Sequence, residues 1–291
     1  MSYEKAGKIA GESLLFGKKL IKEGESLLDI SKKIEEKIKS LGGEIAFPAQ
    51  LSINEVAAHY CPDINDETVI KQGDLVKLDI GVHVDGNIGD TALSVDVGSD
   101  KNLELIRASK DALKVAIENM RPGIELREIG KAIEEVIVGY GFKPIKNLSG
   151  HEIKNYELHA GSIVPNYDNG DTTKLKEGQI FAVEPFATTG EGFVKDGKLS
   201  GIYNIVLPRN VRSGREILGY IMDKYQTLPF ARKWLLSNFS EFKTNFSLRI
   251  LEKEAVIQQY HQLVERTNGL VSQAEHTIKV ADKPIILTKS T

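Results

Sequence analysis

The chain repeats itself once. Leu27, Ile30, Ile34, Ile38 and Gly42 recur as Leu126, Ile129, Ile133, Ile137 and Gly141, each 99 positions on, and Glu35-Glu36 recurs as Glu134-Glu135 at the same offset. Further along, Lys71-Gln-Gly73-Asp-Leu-Val-Lys-Leu-Asp79 recurs as Lys176-Glu-Gly178-Gln-Ile-Phe-Ala-Val-Glu184, now offset by 105. Helical periodicity alone explains the apolar matches. It does not explain matched glycine stops or a carboxylate at the same place in each copy. Two similar helix–helix–strand halves, packed about an approximate two-fold axis, account for both. Asp79 and Glu184 then approach that axis from opposite sides. Two copies at so long a period exclude a solenoid, and the fold class expected is α+β.

The first 43 residues read as two helices, the second opened by a capping box at Ser26-x-x-Asp29 and stopped by Gly42-Gly43. Strands are expected at 51–56, 75–84 and 88–97. Two more helices follow within 101–140, separated by Arg121-Pro122-Gly123, and strands and turns return over 161–207. Gly192–Gly201 lacks the Gly-Lys-Ser/Thr of a phosphate cradle and reads as a loop. Beyond 208 the pattern breaks. Helix-like stretches at 211–226, 229–237 and about 241–256 suggest a helical insertion over 205–265, between segments 1–204 and 266–291 of the main domain. Two β-rich runs, 275–280 and 284–288, close the chain.

At 291 residues the chain can bury a core without staples, and one Cys excludes an internal disulfide or a Cys-based zinc finger. A net charge of −3 argues against whole-chain attraction to nucleic acid or an anionic membrane. No apolar run approaches the roughly 20 residues of a membrane span, and Met1-Ser-Tyr-Glu-Lys lacks a signal-peptide core. A cytoplasmic protein is expected.

Asp85-Gly86 is a hairpin turn signal inside Leu78–Asp90. With that pair as the loop, Asp90 faces Gly81, and Asp79 lies on the same face as Gly81 because strand side chains alternate. Gly81 would leave the space opposite Asp90 empty. Two acids so placed repel unless a cation or a proton lies between them; the bland alternative has Asp90 capping a turn and Asp79 paired with a lysine. Of six histidines, His151 and His159 lie eight apart, each close to a glycine, which suits a ligand or acid–base role. Glu184 precedes a proline in an apolar strand, and Glu275 opens a late strand. His276 reads as a solvent-facing neighbour. Asp79, Asp90, Glu184 and Glu275 carry four negative charges and His151 adds a neutral nitrogen, which two divalent cations would balance. Such a donor set suits Mn, Fe or Co, with Zn also tolerated.

Taken together, Ala57-Ala58-His59-Tyr60, Leu78-Asp79-Ile80-Gly81, Gly89-Asp90-Thr91-Ala92, Ser149-Gly150-His151, Leu158-His159-Ala160-Gly161, Val183-Glu184-Pro185-Phe186 and Glu275-His276-Thr277 resemble type 2 methionine aminopeptidases in their short archaeal form. The resemblance runs in order over nearly the whole chain. It implies the pseudo-two-fold pita-bread fold, with the helical insertion as the type 2 subdomain. Cys61 departs from the pattern, where relatives often carry Thr. The activity implied is removal of the N-terminal methionine from nascent proteins and peptides, with a small second residue preferred.

The resemblance further implies that Asp79 binds one metal, that Asp90 and Glu275 bridge two, and that His151 and Glu184 bind the other. Glu184, His159 and His59 would serve catalysis, the two histidines also contacting substrate. Phe47, Phe186 and Tyr260 would line the methionine pocket. The partners implied are N-termini of nascent polypeptides, met at the ribosome, with no nucleic acid or membrane and a monomeric chain. Three rivals stand beside this reading. One is a prolidase or Xaa-Pro aminopeptidase on the same fold, and another is a metal-free binding protein that kept it. The third is a hydrolase using Cys61 as nucleophile with His59.

Overall fold

This computed structural model describes residues 2–207, 209 and 211–289. The first half opens with helices α1 (Ser2–Leu20) and α2 (Leu27–Ser40). The Ser26 hydroxyl accepts from Asp29 N and caps α2. Strand β1 (Glu44–Ile53) begins earlier than the alternation near 51 suggests, because its run 46–52 is buried on both faces and polar alternation is lost. Short β2 (Val56–Ala58) follows. Then come β3 (Leu75–Val84) and β4 (Asn87–Asp96), a hairpin whose two turn residues, Asp85 and Gly86, both have positive φ. These three long strands form one antiparallel sheet, ordered β1-β3-β4.

The second half repeats the plan with α3 (Leu103–Asn119) and α4 (Leu126–Gly139). Its strands are β5 (Lys143–Pro144), β6 (Ser149–Ile153), β7 (Ile163–Pro165), β8 (Ile180–Val183) and β9 (Phe186–Thr188). The repeat is kept down to single hydrogen bonds. Leu27 N donates to Thr68 O, and Leu126 N donates to Thr173 O; Gly24 N meets Ile70 O, and Gly123 N meets Leu175 O. Gly24, Gly42 and Gly73 have positive φ, as do their counterparts Gly123, Gly141 and Gly178. A side chain there would be strained, which is why the glycine stops recur when much of the surface does not. Each half has its own apolar core. Ile30, Ile34 and Ile38 pack with Leu78 and Ile80 in the first; Ile129, Ile133 and Ile137 pack with Phe181 and Val183 in the second.

The stretch expected as a helical insertion is only partly helical. Long β10 (Val194–Ile205) includes most of the Gly192–Gly201 run that reads as a loop; its pairing absorbs the glycines as register shifts. Helices α5 (Arg215–Lys224), α6 (Arg232–Leu235) and α7 (Glu241–Lys253) follow, with β11 (Phe230–Ala231) just before α6. Residues 257–265 are then a strand, β12 (Ile257–Glu265), in a sheet ordered β11-β10-β12-β2. Its polar sequence hides this, since residues 259–264 are all half-exposed and no buried face alternates with an open one. The helices dock onto the first half through a buried pair. Lys233 Nζ lies 3.6 Å from Glu35 Oε1 and donates to Ser31 Oγ at 3.0 Å, while Trp234 Nε1 donates to Glu35 Oε2 at 2.9 Å.

The chain ends with β13 (Val271–Gln273), β14 (His276–Lys279) and β15 (Ile285–Ile286). Strand β14 completes the second half's sheet, ordered β15-β14-β8-β6-β7. Among the described residues no helix is long and apolar enough to cross a membrane.

Candidate metal centre

The two half-sheets meet at β4 and β14. Glu275 N donates to Ala92 O at 3.0 Å, and Thr91 Oγ1 donates to Glu275 O at 2.9 Å. The Thr277 hydroxyl accepts from Asp90 N at 2.7 Å and donates to Asp90 O at 2.8 Å. Backbone and hydroxyl groups thus bolt Asp90 beside Glu275, although 185 positions separate them in the chain. The hairpin register pairs Asp90 with Gly81, as the turn predicts, and places Asp79 opposite Ala92. On the other side, His151 pairs with Ala182 and His276 with Val183, so His151, Glu184 and Glu275 converge from three adjacent strand segments.

All five expected ligands therefore come together. One ligand atom each from Asp90, His151 and Glu275 lie within 4.8 Å of one another. His151 Nε2 is 3.6 Å from both Asp90 Oδ2 and Glu184 Oε1. The Gln273 amide donates to Asp79 Oδ2 at 3.4 Å and to Glu184 Oε2 at 3.3 Å. Among the described residues Asp79 meets Gln273 and Asp90 meets His151, neither of them a lysine, so the bland reading of the two acids fails.

The electrostatics are those of a site built for cations. Burial raises the Asp79 carboxyl to about 7. Burial, then the Asp79 charge, raises Asp90 well above the carboxylate range. Burial followed by the neighbouring acids does the same to Glu184 and Glu275. Burial pushes His151 down to about 3, so its imidazole is neutral and free to ligate. Asp79 Oδ1, Asp90 Oδ1 and Glu275 Oε2 are buried with no hydrogen-bond partner among the described residues. Buried acceptors left bare are costly, and divalent cations would satisfy these oxygens and restore the charged forms. The donor set, hard oxygens with one imidazole, fits that role.

A cavity of about 290 Å³ opens over these ligands. Phe47, Phe186, Tyr260, His59 and His159 line it, so every expected substrate-contacting residue is present. Tyr260 reaches it from β12 and meets the His59 ring edge-on, centroids 5.2 Å apart. The His159 ring stands 4.4 Å from that of His151. His59 sits at φ 67°, a left-handed conformation uncommon for a side-chain-bearing residue, and Gln50 Oε1 accepts from its N–H at 2.7 Å. Its Nδ1 faces His261 O at 3.0 Å, and burial lowers its pKa to about 4.

Three expectations require correction. The space over Gly81 is not empty: the Phe47 ring fills it, because the chain needs an apolar wall there more than a void. His276 does not face solvent. It is part-buried with Nδ1 2.9 Å from Thr288 Oγ1, and burial brings its pKa to about 4. Cys61 is no nucleophile. Residues 59–62 lie outside any strand, and burial pushes the buried thiol up to about 12. Sequence reasoning missed Gln50 and Gln273, which carry no charge and no motif. Gln273 ends β13, two positions before Glu275, which lies in the break before β14.

The pattern of metallopeptidase family M24 matches residues 2–229. A methionine aminopeptidase of Pyrococcus abyssi is 48% identical over 286 residues, covering 97% of this chain and 97% of its own. One from Methanocaldococcus jannaschii is 45% identical over 291 residues, 98% of either chain. Among solved structures, a methionine aminopeptidase from Thermotoga maritima matches with a TM-score of 0.73 at 25% identity, over 99% of this chain and 95% of that one. The two related halves and their shared site are the pita-bread fold. With a family match over most of its length and relatives near half identity from end to end, the chain belongs to metallopeptidase family M24, among its methionine aminopeptidases.

Proposed function

We propose that this chain removes the N-terminal methionine from nascent proteins and peptides, with a small second residue preferred, and that it does so with two divalent cations. Asp79 would hold one, His151 and Glu184 the other, and Asp90 and Glu275 both; Mn, Fe, Co and Zn are the candidates. The observation that carries this reading is the convergence of four carboxyls, Asp90 and Glu275 buried and Asp79 and Glu184 part-buried, with one neutral imidazole beneath an aromatic cavity. The enzyme would act as a monomer in the cytoplasm, on chains emerging from the ribosome.

When bound, the cations supply Lewis acidity and a water acidic enough to attack near neutral pH. The protein's own groups do the rest. Phe47, Phe186 and Tyr260 offer an apolar pocket suited to an unbranched thioether. His59, neutral, donates through Nδ1–H to His261 O, which leaves Nε2 as an acceptor for a peptide N–H. His159, its pKa lowered by burial, is a neutral donor for the carbonyl oxygen as that oxygen gains charge. Glu184 takes the proton of the attacking water and delivers it to the leaving amine.

The test is release of methionine from Met-Ala-Ser by protein stripped of metal and reloaded with single ions, with an Xaa-Pro peptide as control. Cleavage of Met-Ala-Ser that returns with metal supports the reading. Reloaded protein that spares Met-Ala-Ser, or cuts the Xaa-Pro peptide faster, refutes it.

A further inference from the structure

Asp79 and Glu184 are the two acids that the internal repeat relates, one from each half of the molecule. One side chain bonds to both. The side-chain amide of Gln273 donates to Asp79 Oδ2 at 3.4 Å and to Glu184 Oε2 at 3.3 Å, and Gln273 is 1% exposed. Each bond uses one oxygen and leaves the other turned away from the amide. The spare oxygen of Glu184, Oε1, faces His151 Nε2 at 3.6 Å. The spare oxygen of Asp79, Oδ1, is buried without a partner among the described residues.

We infer that Gln273 is the positioning residue of the metal centre: its two N–H groups set which oxygen of Asp79 and which of Glu184 is presented to cations. This rests on the two-cation reading above. A carboxylate can rotate about its terminal torsion, and in a cluster of four acids mutual repulsion turns oxygens outward. A donor shared between two of them counters that rotation from the back. Partners of ligands in this position tune metal affinity by about 10–100-fold.

The backbone of Gln273 is held independently of its side chain. Its N–H donates to Ser94 Oγ at 2.8 Å, the Ser94 hydroxyl donates to its carbonyl at 2.8 Å, and β13 pairs it with Phe186. Replacing the side chain therefore leaves the strand in place. Methionine matches glutamine in length and reach and lacks the donors.

The experiment titrates metal-free wild type, Gln273→Met and Gln273→Leu with Mn²⁺ by calorimetry, and records the visible spectrum of each with Co²⁺. Thermal unfolding of the metal-free proteins reports the fold. The expected result is a 10–100-fold weaker Mn²⁺ affinity in both variants and an altered Co²⁺ spectrum, with metal-free unfolding near that of wild type. Wild-type affinity and an unchanged spectrum in either folded variant overturn the role of Gln273 and leave the two-cation reading standing. A wild-type protein that takes up no Mn²⁺ or Co²⁺ overturns both.

Discussion

The ring of Phe47 lies against the bare Cα of Gly81, so closely that a Cβ at Gly81 would fall 2.3 Å from Phe47 Cε1. Gly81 is also the cross-strand partner of Asp90. One missing side chain thus serves both the metal ligands and the pocket wall. The glycine has no positive φ to explain it; the reason is space.

Gly81→Ala is expected to push the Phe47 ring into the cavity. Overpacking of this kind costs about 1–3 kcal/mol, read as a lower urea midpoint. Methionine release from Met-Ala-Ser should fall at least about tenfold, since a 1.4 kcal/mol loss in transition-state binding already does that. Wild-type kcat/KM in the variant would show that the ring has somewhere else to go.

Asp90→Asn and Glu275→Gln should abolish turnover through lost metal. Each removes one carboxyl from a crowded buried cluster: Asp90 helps raise Glu184 and Glu275, and Glu275 is itself raised by burial and its three neighbours. The metal-free variants should therefore unfold at or above the wild-type temperature, while added Mn²⁺ should raise their midpoint less than it raises that of wild type. Full metal content with retained activity in either variant would remove that residue from the ligand set.

Glu35 and Glu134 occupy equivalent places in the two halves and have opposite surroundings. Glu35 is paired with nearly buried Lys233, whereas Glu134 meets Lys146 at 3.4 Å with both side chains about a third exposed. Lys233→Met strands a buried charge and should cost about 3–5 kcal/mol. Adding Glu35→Gln keeps an acceptor for the Trp234 N–H and should recover much of that loss. Lys146→Met should cost no more than about 1 kcal/mol. Equal losses at the two sites, measured by urea unfolding, would contradict this assignment.

Glu265 is fully buried at the end of β12 and accepts from the N–H groups of Glu191, Gly192, Thr267 and Gly269 and from the Thr267 hydroxyl. Burial alone would raise its pKa; these donors outweigh it and hold the carboxyl below its usual 4.5. A lowered folded-state value means stability that is fully present above about pH 4.5 and is lost as pH falls through the folded-state pKa. Glu265→Gln should be less stable at pH 7 by about 2–4 kcal/mol, since bonds to a charged acceptor are worth about 1.5–3 kcal/mol each and some survive. Its deficit should shrink below pH 4.5. A pH-independent difference would assign the loss to packing instead.

Local chemistry made much of the protein legible in its residues. The matched glycines announced the two halves because positive φ admits little else, and Asp85-Gly86 set a register that placed Asp90 opposite Gly81. Periodicity marked α1 to α4 because one face of each is buried. Strand β12 escaped notice because its middle is uniformly half-exposed, with no alternation, and Gln50 and Gln273 did so because a neutral amide signals nothing until its partners are known. Which carboxylates meet was decided only by the tertiary structure. Asp90 and Glu275 are brought together by the Glu275 N–H on Ala92 O and the Asp90 N–H on the Thr277 hydroxyl, and such long-range pairing depends on how two whole halves pack, a property no window of sequence contains.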